Sequence, residues 1–200
     1  MNILSFDCAN RSLAVIYAYM EKNPNDIKKS NITKINISKV YDLTEGKKVN
    51  TAIRTLLLKR CLQSIDLEIK GMEIKYRNPT NILIEYQMSA NDKSRCVSQQ
   101  ILYHYSGINN LQVELVGPTL KNKICFSEDD SLSYGTFMER YASKYTANKN
   151  HSKANFLYWL ERNNLMSIVS KNNIAKKNID DIADAFTQIY GWLLFGKKYK

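Results

Sequence analysis

The first twenty residues of this chain constrain its fold more than any other segment. Asn2–Cys8 and residues 12–20 are two apolar runs, and only three residues separate them, which predicts a β-hairpin. The first run is apolar at nearly every position before Asp7, so the strand is expected to be covered on both faces. A strand of this kind belongs at the centre of a sheet that has helices packed against each side.

The rest of the chain alternates strands and helices in an order that is typical of one α/β domain. A polar loop at residues 21–31 precedes a third, more exposed strand at residues 33–43. The later predicted elements are a helix at 49–69, a strand at 81–86, a helix at 93–105, a strand at 112–116, helices at 134–143 and 152–163, a polar loop at 170–177 and a helix at 179–195. With no internal repeat or clean linker, residues 1–200 are predicted to form a single domain on a five-stranded mixed sheet.

Charge and cysteine usage limit the expected partners and compartment. The formal net charge is +10 and the pI is about 9.3, so a polyanion such as nucleic acid is the expected partner. An anionic membrane would also attract this charge, but the absence of a long apolar run argues against a membrane role. The four cysteines are scattered without zinc-site spacing, which predicts free thiols. Without a secretory signal pattern at the N-terminus, we expect an intracellular protein.

Four carboxylates lie where a sheet and a helix would bring them together. Asp7 ends the first strand, and Glu85 ends the fourth strand in ILIEYQ. If those two strands are neighbours, their acids lie side by side at one end of the sheet. Asp181 and Asp184 are three residues apart at the start of the last helix, so they share one helix face.

A cluster of four acids needs a cation to offset its repulsion. Hard oxygen ligands suit Mg²⁺, with Mn²⁺ as a substitute, rather than zinc. Two such ions about 4 Å apart can activate a water and stabilise the leaving oxygen when a phosphodiester is cut. In so basic a protein, the four acids therefore predict a metal-dependent nuclease.

Each acid also has a structural interpretation that requires no chemistry. Asp7 can cap the turn after a buried strand, and Asp181 and Asp184 can complement the helix dipole behind an Asn178 N-cap. Glu85 is harder to explain in this way, because burying an acid in an apolar strand without a partner is costly. The catalytic interpretation rests on the set of four acids in this order.

The ordered motifs resemble the RuvC-like Holliday junction resolvases of the ribonuclease H superfamily, and among them the poxvirus-type resolvases most closely. ILSFDCANRSLAVIYA is similar to their opening strand, with its acid at Asp7, and ILIEYQ is similar to their second acidic motif, at Glu85. VGPTLKNK is similar to their P-x-x-[VL]-K segment, with its lysine at Lys121. KKNIDDIADAF is similar to their terminal motif, with its acids at Asp181 and Asp184. The resemblance covers nearly the whole chain.

The resemblance implies a ribonuclease-H-like α/β fold, with a five-stranded mixed sheet flanked by helices. It also implies a Mg²⁺-dependent endodeoxyribonuclease that resolves four-way DNA junctions by paired symmetric nicks. The four acids would hold the metal ions, and Lys121 would stabilise charge at the scissile phosphate. Lys123 is a second candidate for that lysine. Asp180 is an alternative to Asp181, although only Asp181 has the right spacing to Asp184. If the source is viral, the expected compartment is the host cytoplasm.

A basic segment is the candidate surface for the DNA backbone. Lys144, Lys149 and Lys153 lie between two predicted helices and are interleaved with tyrosines, so they can follow a line of phosphates. A solvated helix end is an equally good explanation of the same residues. His104 and His151 have no partner in the sequence pattern and are predicted to be ordinary surface or core histidines.

A two-fold junction calls for a homodimer, so a dimer interface is expected. The helix at 49–69 is apolar over a wide face, and we place the interface on it, around Ile53, Leu57 and Cys61. Burial of this face within one subunit is the alternative. Two other functions remain open: a ribonuclease-H-like nuclease that acts on RNA–DNA hybrids or flaps, and a non-catalytic DNA-binding module.

Overall fold

The computed structural model describes residues 1–21, 23, 31–87, 92–171 and 178–196. In chain order the strands are β1 (Asn2–Cys8), β2 (Ser12–Glu21), β3 (Asn31–Asp42), β4 (Asn81–Glu85) and β5 (Gln112–Val116). They form one sheet in the order β3-β2-β1-β4-β5. β1 is antiparallel to β2 and parallel to β4, so the predicted five-stranded mixed sheet is confirmed.

Helices cover both faces of this sheet. In chain order they are α1 (Thr51–Lys70), α2 (Asp92–Tyr105), α3 (Tyr134–Arg140), α4 (Lys144–Arg162), α5 (Ser167–Lys171) and α6 (Ile179–Phe195). Short 3₁₀ helices lie at Ile74–Tyr76 and Lys121–Lys123. α4 and α6 pack on one face of the sheet, and α1 and α2 pack on the other.

The central position of β1 follows from its side chains. All seven of its residues are buried. Ile3 belongs to the core that contains α6, whereas Leu4 and Phe6 belong to the core that contains α1 and α2. Because side chains alternate along a strand, Ser5 and Asp7 face the same side as Ile3. The strand therefore presents its one acid to α6.

The C-terminal half departs from the predicted helices. α3 ends at Arg140 instead of residue 143, and α4 begins at Lys144 instead of residue 152. The basic segment predicted to join two helices is thus the first half of α4. Its buried face carries Ala147, His151 and Ser152, which are small or polar, so this part of the helix has no apolar periodicity to reveal it.

The helix predicted to carry the dimer interface, α1, has apolar residues on both its buried and its exposed sides. Leu58, Leu62 and Ile65 of α1 lie in the core against the sheet. Leu57, which we had placed on the free face, is only 9% exposed, whereas Leu56 is 50% exposed. The choice of Leu57 as an interface residue is therefore wrong, because that side chain faces inward.

Three further predictions concern the chain as a whole. The polar loops at 21–31 and 170–177 lie mostly outside the described residues. All four cysteines are free thiols, as expected. Within the described residues, every helix is too short or too polar to cross a membrane.

Candidate active site

The pairing of two parallel strands brings the first two acids together. β1 and β4 are in register with Phe6 opposite Ile84. Asp7 and Glu85 follow these residues, at the carboxyl ends of both strands, and both side chains face α6. Their exposed fractions are only 7% and 6%. The register therefore buries two carboxylates side by side, as the sequence predicts for neighbouring strands.

Buried hydrogen bonds hold α6 over this end of the sheet. The Ser5 hydroxyl donates to the Ala185 carbonyl at 2.8 Å, and the Gln188 amide donates to the Ser5 hydroxyl at 3.1 Å. Gln188 also donates to the Phe6 carbonyl at 3.4 Å. Because Ala185 directly follows Asp184, these bonds set the height of Asp184 above β1.

The α6 acids share a face, as their spacing predicts. Asp181 and Asp184 both line the cavity that Asp7 and Glu85 line, and Asp180 does not. The cavity has a volume of about 450 Å³. Asn178 occupies the N-cap position of α6 but makes no side-chain capping bond. The capping interpretation of this helix start therefore has no support from its geometry.

Lys121 lies at the centre of the acids. Its Nζ is 2.9 Å from Glu85 Oε1, 3.2 Å from Asp184 Oδ2 and 3.8 Å from Asp7 Oδ1. The 3₁₀ helix Lys121–Lys123 carries it after β5, and this short helix packs against α6. One ammonium group is thus within 4 Å of carboxylates from two strands and one helix.

Lys149 is a second cation in the cavity, and its position there was not predicted. Its Nζ is 2.8 Å from Asp181 Oδ1 and 2.9 Å from Asp184 Oδ2. From the sequence pattern, this lysine is a candidate for the DNA surface or for a solvated helix end, not for the acid cavity. The N-cap Ser143, whose side chain accepts from the Thr146 N–H, is the local signal that would have extended α4 to include it.

The other predicted basic residues lie outside the cavity. Lys123 places its Nζ 5.5 Å from the centre of the Phe195 ring. Lys144 is exposed at the start of α4, and Lys153 is half-buried further along the same helix. Neither of them, nor Lys123, lines the acid cavity. Lys121 is therefore the better placed of the two candidate lysines of the VGPTLKNK motif.

Both histidines have ordinary structural partners. His104 lies 2.9 Å from Asp66, and the buried His151 contacts the Ile124 carbonyl at 2.9 Å. Burial lowers the pKa of His151, so its neutral form is favoured. Other polar side chains reach the acids instead: the Gln87 amide donates to Glu85, and the Ser12 hydroxyl lies 3.5 Å from Asp181.

The pKa values of two acids in the cluster, Asp7 and Asp184, are shifted in opposite directions. Burial raises the pKa of Asp7, the charges of Glu85 and Asp184 add to this effect, and Lys121 opposes it only in part. Burial would also raise the pKa of Asp184, but Lys121 and Lys149 outweigh it and hold that pKa below its usual value. The two lysines thus offset the charge of Asp184 and leave that of Asp7 poorly compensated.

The donor chemistry of the cavity fits a hard divalent cation. Four carboxylates converge there, and oxygen ligands are what Mg²⁺ prefers. Within the described residues, no three acids, histidines or cysteines are already spaced as ligands of one ion. Lys121 and Lys149 lie between the acids, so a metal would have to compete with their ammonium groups.

The strand order and the flanking helices define a ribonuclease-H-like fold, which confirms the predicted class. No protein-family model and no curated protein matches the sequence. Several solved structures are nevertheless similar to this chain in fold. The fowlpox virus resolvase in complex with its substrate Holliday junction DNA is 15% identical, with 96% of this chain and 97% of that chain covered and a TM-score of 0.56.

Two further solved structures share the fold. The yeast mitochondrial Holliday junction resolvase Ydc2 is 16% identical, with 96% of this chain and 78% of that chain covered and a TM-score of 0.55. RuvC of Thermus thermophilus, in complex with a Holliday junction substrate, is 10% identical, with 98% of both chains covered and a TM-score of 0.51. At these identities the likeness establishes a common fold.

Proposed function

We propose that this protein is a Holliday junction resolvase, an endodeoxyribonuclease that cuts four-way DNA junctions by paired symmetric nicks. The observation that carries the proposal is the convergence of Asp7, Glu85 and Asp184 on Lys121, from three different elements. The net charge of +10 supports a nucleic-acid substrate. The fold shared with three solved junction resolvases supports the choice of a four-way junction.

The acids would hold Mg²⁺, with Mn²⁺ as a substitute. Asp7, Glu85, Asp181 and Asp184 are the candidate ligands, since they line one cavity and carry the preferred donor atoms. When bound, the metal would supply an activated water and stabilise the leaving oxygen. Mg²⁺ dependence is part of the proposal and is tested with it.

Lys121 would orient the scissile phosphate. Its ammonium group is a donor at the centre of the acids and reaches Glu85 at 2.9 Å. Burial would lower the pKa of Lys121, but Asp184, Asp7 and Glu85 raise it, so the side chain is cationic at neutral pH. A fixed cation at this point would stabilise the charge that develops on the phosphate during cleavage.

A homodimer is part of the same proposal. A four-way junction offers two equivalent strands, whereas the described part of one chain forms one acid cavity, so paired nicks call for two copies. The outward face of α1 carries Ile53 and Leu56, which are 46% and 50% exposed. On α2, Tyr103 is 87% exposed beside a groove of about 600 Å³ between the two helices. This α1–α2 surface is our candidate interface, and it replaces the inward-facing Leu57.

Two rival functions make different predictions. A ribonuclease-H-like nuclease for RNA–DNA hybrids or flaps would use the same fold and acids on another substrate. A non-catalytic DNA-binding module would keep the basic surface without cleavage. The second rival gives no reason to bury a set of mutually repulsive acids, because the burial of charged groups is costly even when they are paired.

The deciding experiment compares end-labelled substrates under one set of conditions. A four-way junction, a linear duplex, a flap and an RNA–DNA hybrid are incubated with the protein, with Mg²⁺ or with EDTA. We expect symmetric nicks in the junction only with Mg²⁺. Faster cleavage of the hybrid or flap would favour the first rival. Junction binding without cleavage in either Mg²⁺ or Mn²⁺ would favour the second.

A further inference from the structure

Lys149 is a half-buried cation that the proposed mechanism leaves without a role. Its side chain is 20% exposed, and its Nζ contacts Asp181 and Asp184 within 3 Å. Burial would lower the pKa of Lys149, but Asp184 and Asp7 raise it, so the side chain carries its charge. Two of the four candidate metal ligands are therefore bound to the ammonium group of Lys149.

The two cavity lysines differ in how firmly they are held. Lys121 is 10% exposed, lies on a short helix packed against α6 and contacts acids from three elements. Lys149 is twice as exposed and contacts only the two α6 acids. It lies at the α4 side of the cavity, next to Asn148. Its flexible four-carbon stem allows the charged end to swing away from the acids while α4 stays in place.

A metal and Lys149 compete for the same two carboxylates. A divalent cation bound to Asp181 and Asp184 would lie beside the Lys149 ammonium group, and because the two positive charges repel each other, the metal would weaken or break the ion pairs that Lys149 makes. We propose that Lys149 is an internal counter-ion, which a divalent cation displaces from Asp181 and Asp184, and which thereby sets the metal affinity of the cavity. This inference rests on the proposed function, since it takes the same acids as metal ligands.

Lys149 also has a stabilising role in the absence of metal. Four acids gathered in one cavity repel one another, and two ammonium groups offset part of that repulsion. Removal of Lys149 leaves Asp181 and Asp184 with less compensation, and a bound metal restores it. Metal affinity and metal-free stability are therefore expected to change in opposite directions when Lys149 is replaced.

The test measures metal binding by the full chain without DNA. Free Mn²⁺ is followed by electron paramagnetic resonance during titration of the wild type, Lys149→Gln and Lys149→Met. Arg162→Gln is the matched control, because Arg162 also lies on α4 and pairs with a carboxylate, the exposed Glu128. We expect both Lys149 variants to bind Mn²⁺ at least about tenfold more tightly, as the loss of competing charged hydrogen bonds implies. Arg162→Gln should bind Mn²⁺ with the same affinity as the wild type.

Thermal unfolding of the same proteins provides a second readout. The Lys149 variants should melt at a lower temperature without metal, and Mn²⁺ should raise their melting temperature by more than it raises that of the wild type. Variants that remain unfolded at saturating Mn²⁺ would overturn the inference, because the metal would then fail to replace the lysine charge.

One further variant separates failure of this inference from failure of the proposed function. If Asp184→Asn loses Mn²⁺ binding while the Lys149 variants bind as the wild type does, or more weakly, the counter-ion role is wrong and the metal site stands. If Asp184→Asn binds Mn²⁺ as the wild type does, the cavity is not the metal site. Both the metal site of the proposed function and the role of Lys149 are then rejected.

Discussion

Gly191 of α6 lies directly against the backbone of Leu120. A Cβ atom at position 191 would be 2.8 Å from the Leu120 carbonyl carbon and 3.0 Å from the Lys121 amide nitrogen. No side chain fits at that distance from a backbone. The absence of a side chain at Gly191 therefore allows the segment that carries Lys121 to pack tightly on the helix that carries Asp184.

Gly191→Ala is expected to destabilise the protein and to impair junction cleavage. In an unobstructed helix this substitution stabilises by up to about 1 kcal/mol. Here the contact with Leu120 must open, which costs about 1–3 kcal/mol and displaces Lys121. Urea unfolding and cleavage rates measure the two effects. Gly135→Ala in α3 is the control, because a Cβ there meets only the Ser133 hydroxyl at 3.9 Å. Equal stability changes in both variants would contradict the close packing.

Each of the four acids should be needed for cleavage but not for junction binding. Asp7→Asn, Glu85→Gln, Asp181→Asn and Asp184→Asn each remove a candidate metal ligand and no contact to phosphate. We expect the cleavage rate to fall by more than about 100-fold. Replacing a residue that only hydrogen-bonds to a metal ligand can already lower activity by about that factor. Gel-shift and cleavage assays on one junction measure both properties. An acid whose variant keeps normal activity is not part of the site.

Stability should depend on pH through His151. Its side chain is fully buried, and its folded-state pKa lies below the usual value, so the fold favours the neutral ring. The neutral ring of His151 adds to the free energy of unfolding. This contribution is complete above the pKa of the ring in the unfolded chain, about 6.5, and is lost as pH falls towards its lower pKa in the folded protein. Between about pH 7.5 and about pH 5.5 the wild type should lose more unfolding free energy than His151→Asn. Equal losses in urea unfolding would show that His151 does not titrate in this range.

Junction binding should weaken steeply with salt. A strongly basic protein that binds a phosphate backbone releases counterions, so log K falls linearly with log salt, with a slope of about −0.9 for each phosphate neutralised. Fluorescence anisotropy between 50 and 200 mM salt, roughly the range in which such losses are large, measures the slope. A flat response would reject a phosphate-backbone contact as the main source of affinity.

Leu56→Glu should convert a dimer into monomers that do not resolve junctions. Leu56 is 50% exposed on the outward face of α1, so a charge there disrupts an intersubunit contact and leaves the fold intact. Light scattering gives the mass, and circular dichroism checks the fold. Ile74→Glu, at a position that is 80% exposed and away from α1, should remain dimeric. A wild type that is monomeric at micromolar concentration would contradict the dimer.

The sheet and the acids could be predicted because their signals are local. Alternating or continuous apolar residues mark β1 to β5, and an acid at the end of a buried strand is conspicuous, as at Asp7 and Glu85. The spacing of Asp181 and Asp184 also places them correctly on one helix face. Each of these inferences needs only a few neighbouring residues and the geometry of one element.

The first half of α4 could not be predicted in this way, and Lys149 was misplaced with it. The buried residues of that segment before residue 152 are Ala147 and His151, which are small or polar, so it shows no hydrophobic periodicity. The first half of α4 is instead stabilised by the packing of α4 against α6. Only the tertiary structure places Lys149 beside the acids, because its partners lie more than thirty residues away.

The hydrogen bond from Ser5 to Ala185 joins residues 180 positions apart. Such distant partners meet only after the intervening chain has been made, and contacts of this kind slow folding. During synthesis the ribosome releases β1 before α6. The acid cluster therefore cannot assemble on a nascent chain that stops before residue 179. An interrupted chain would carry the basic residues proposed to bind DNA but lack the α6 acids that the proposed cleavage requires.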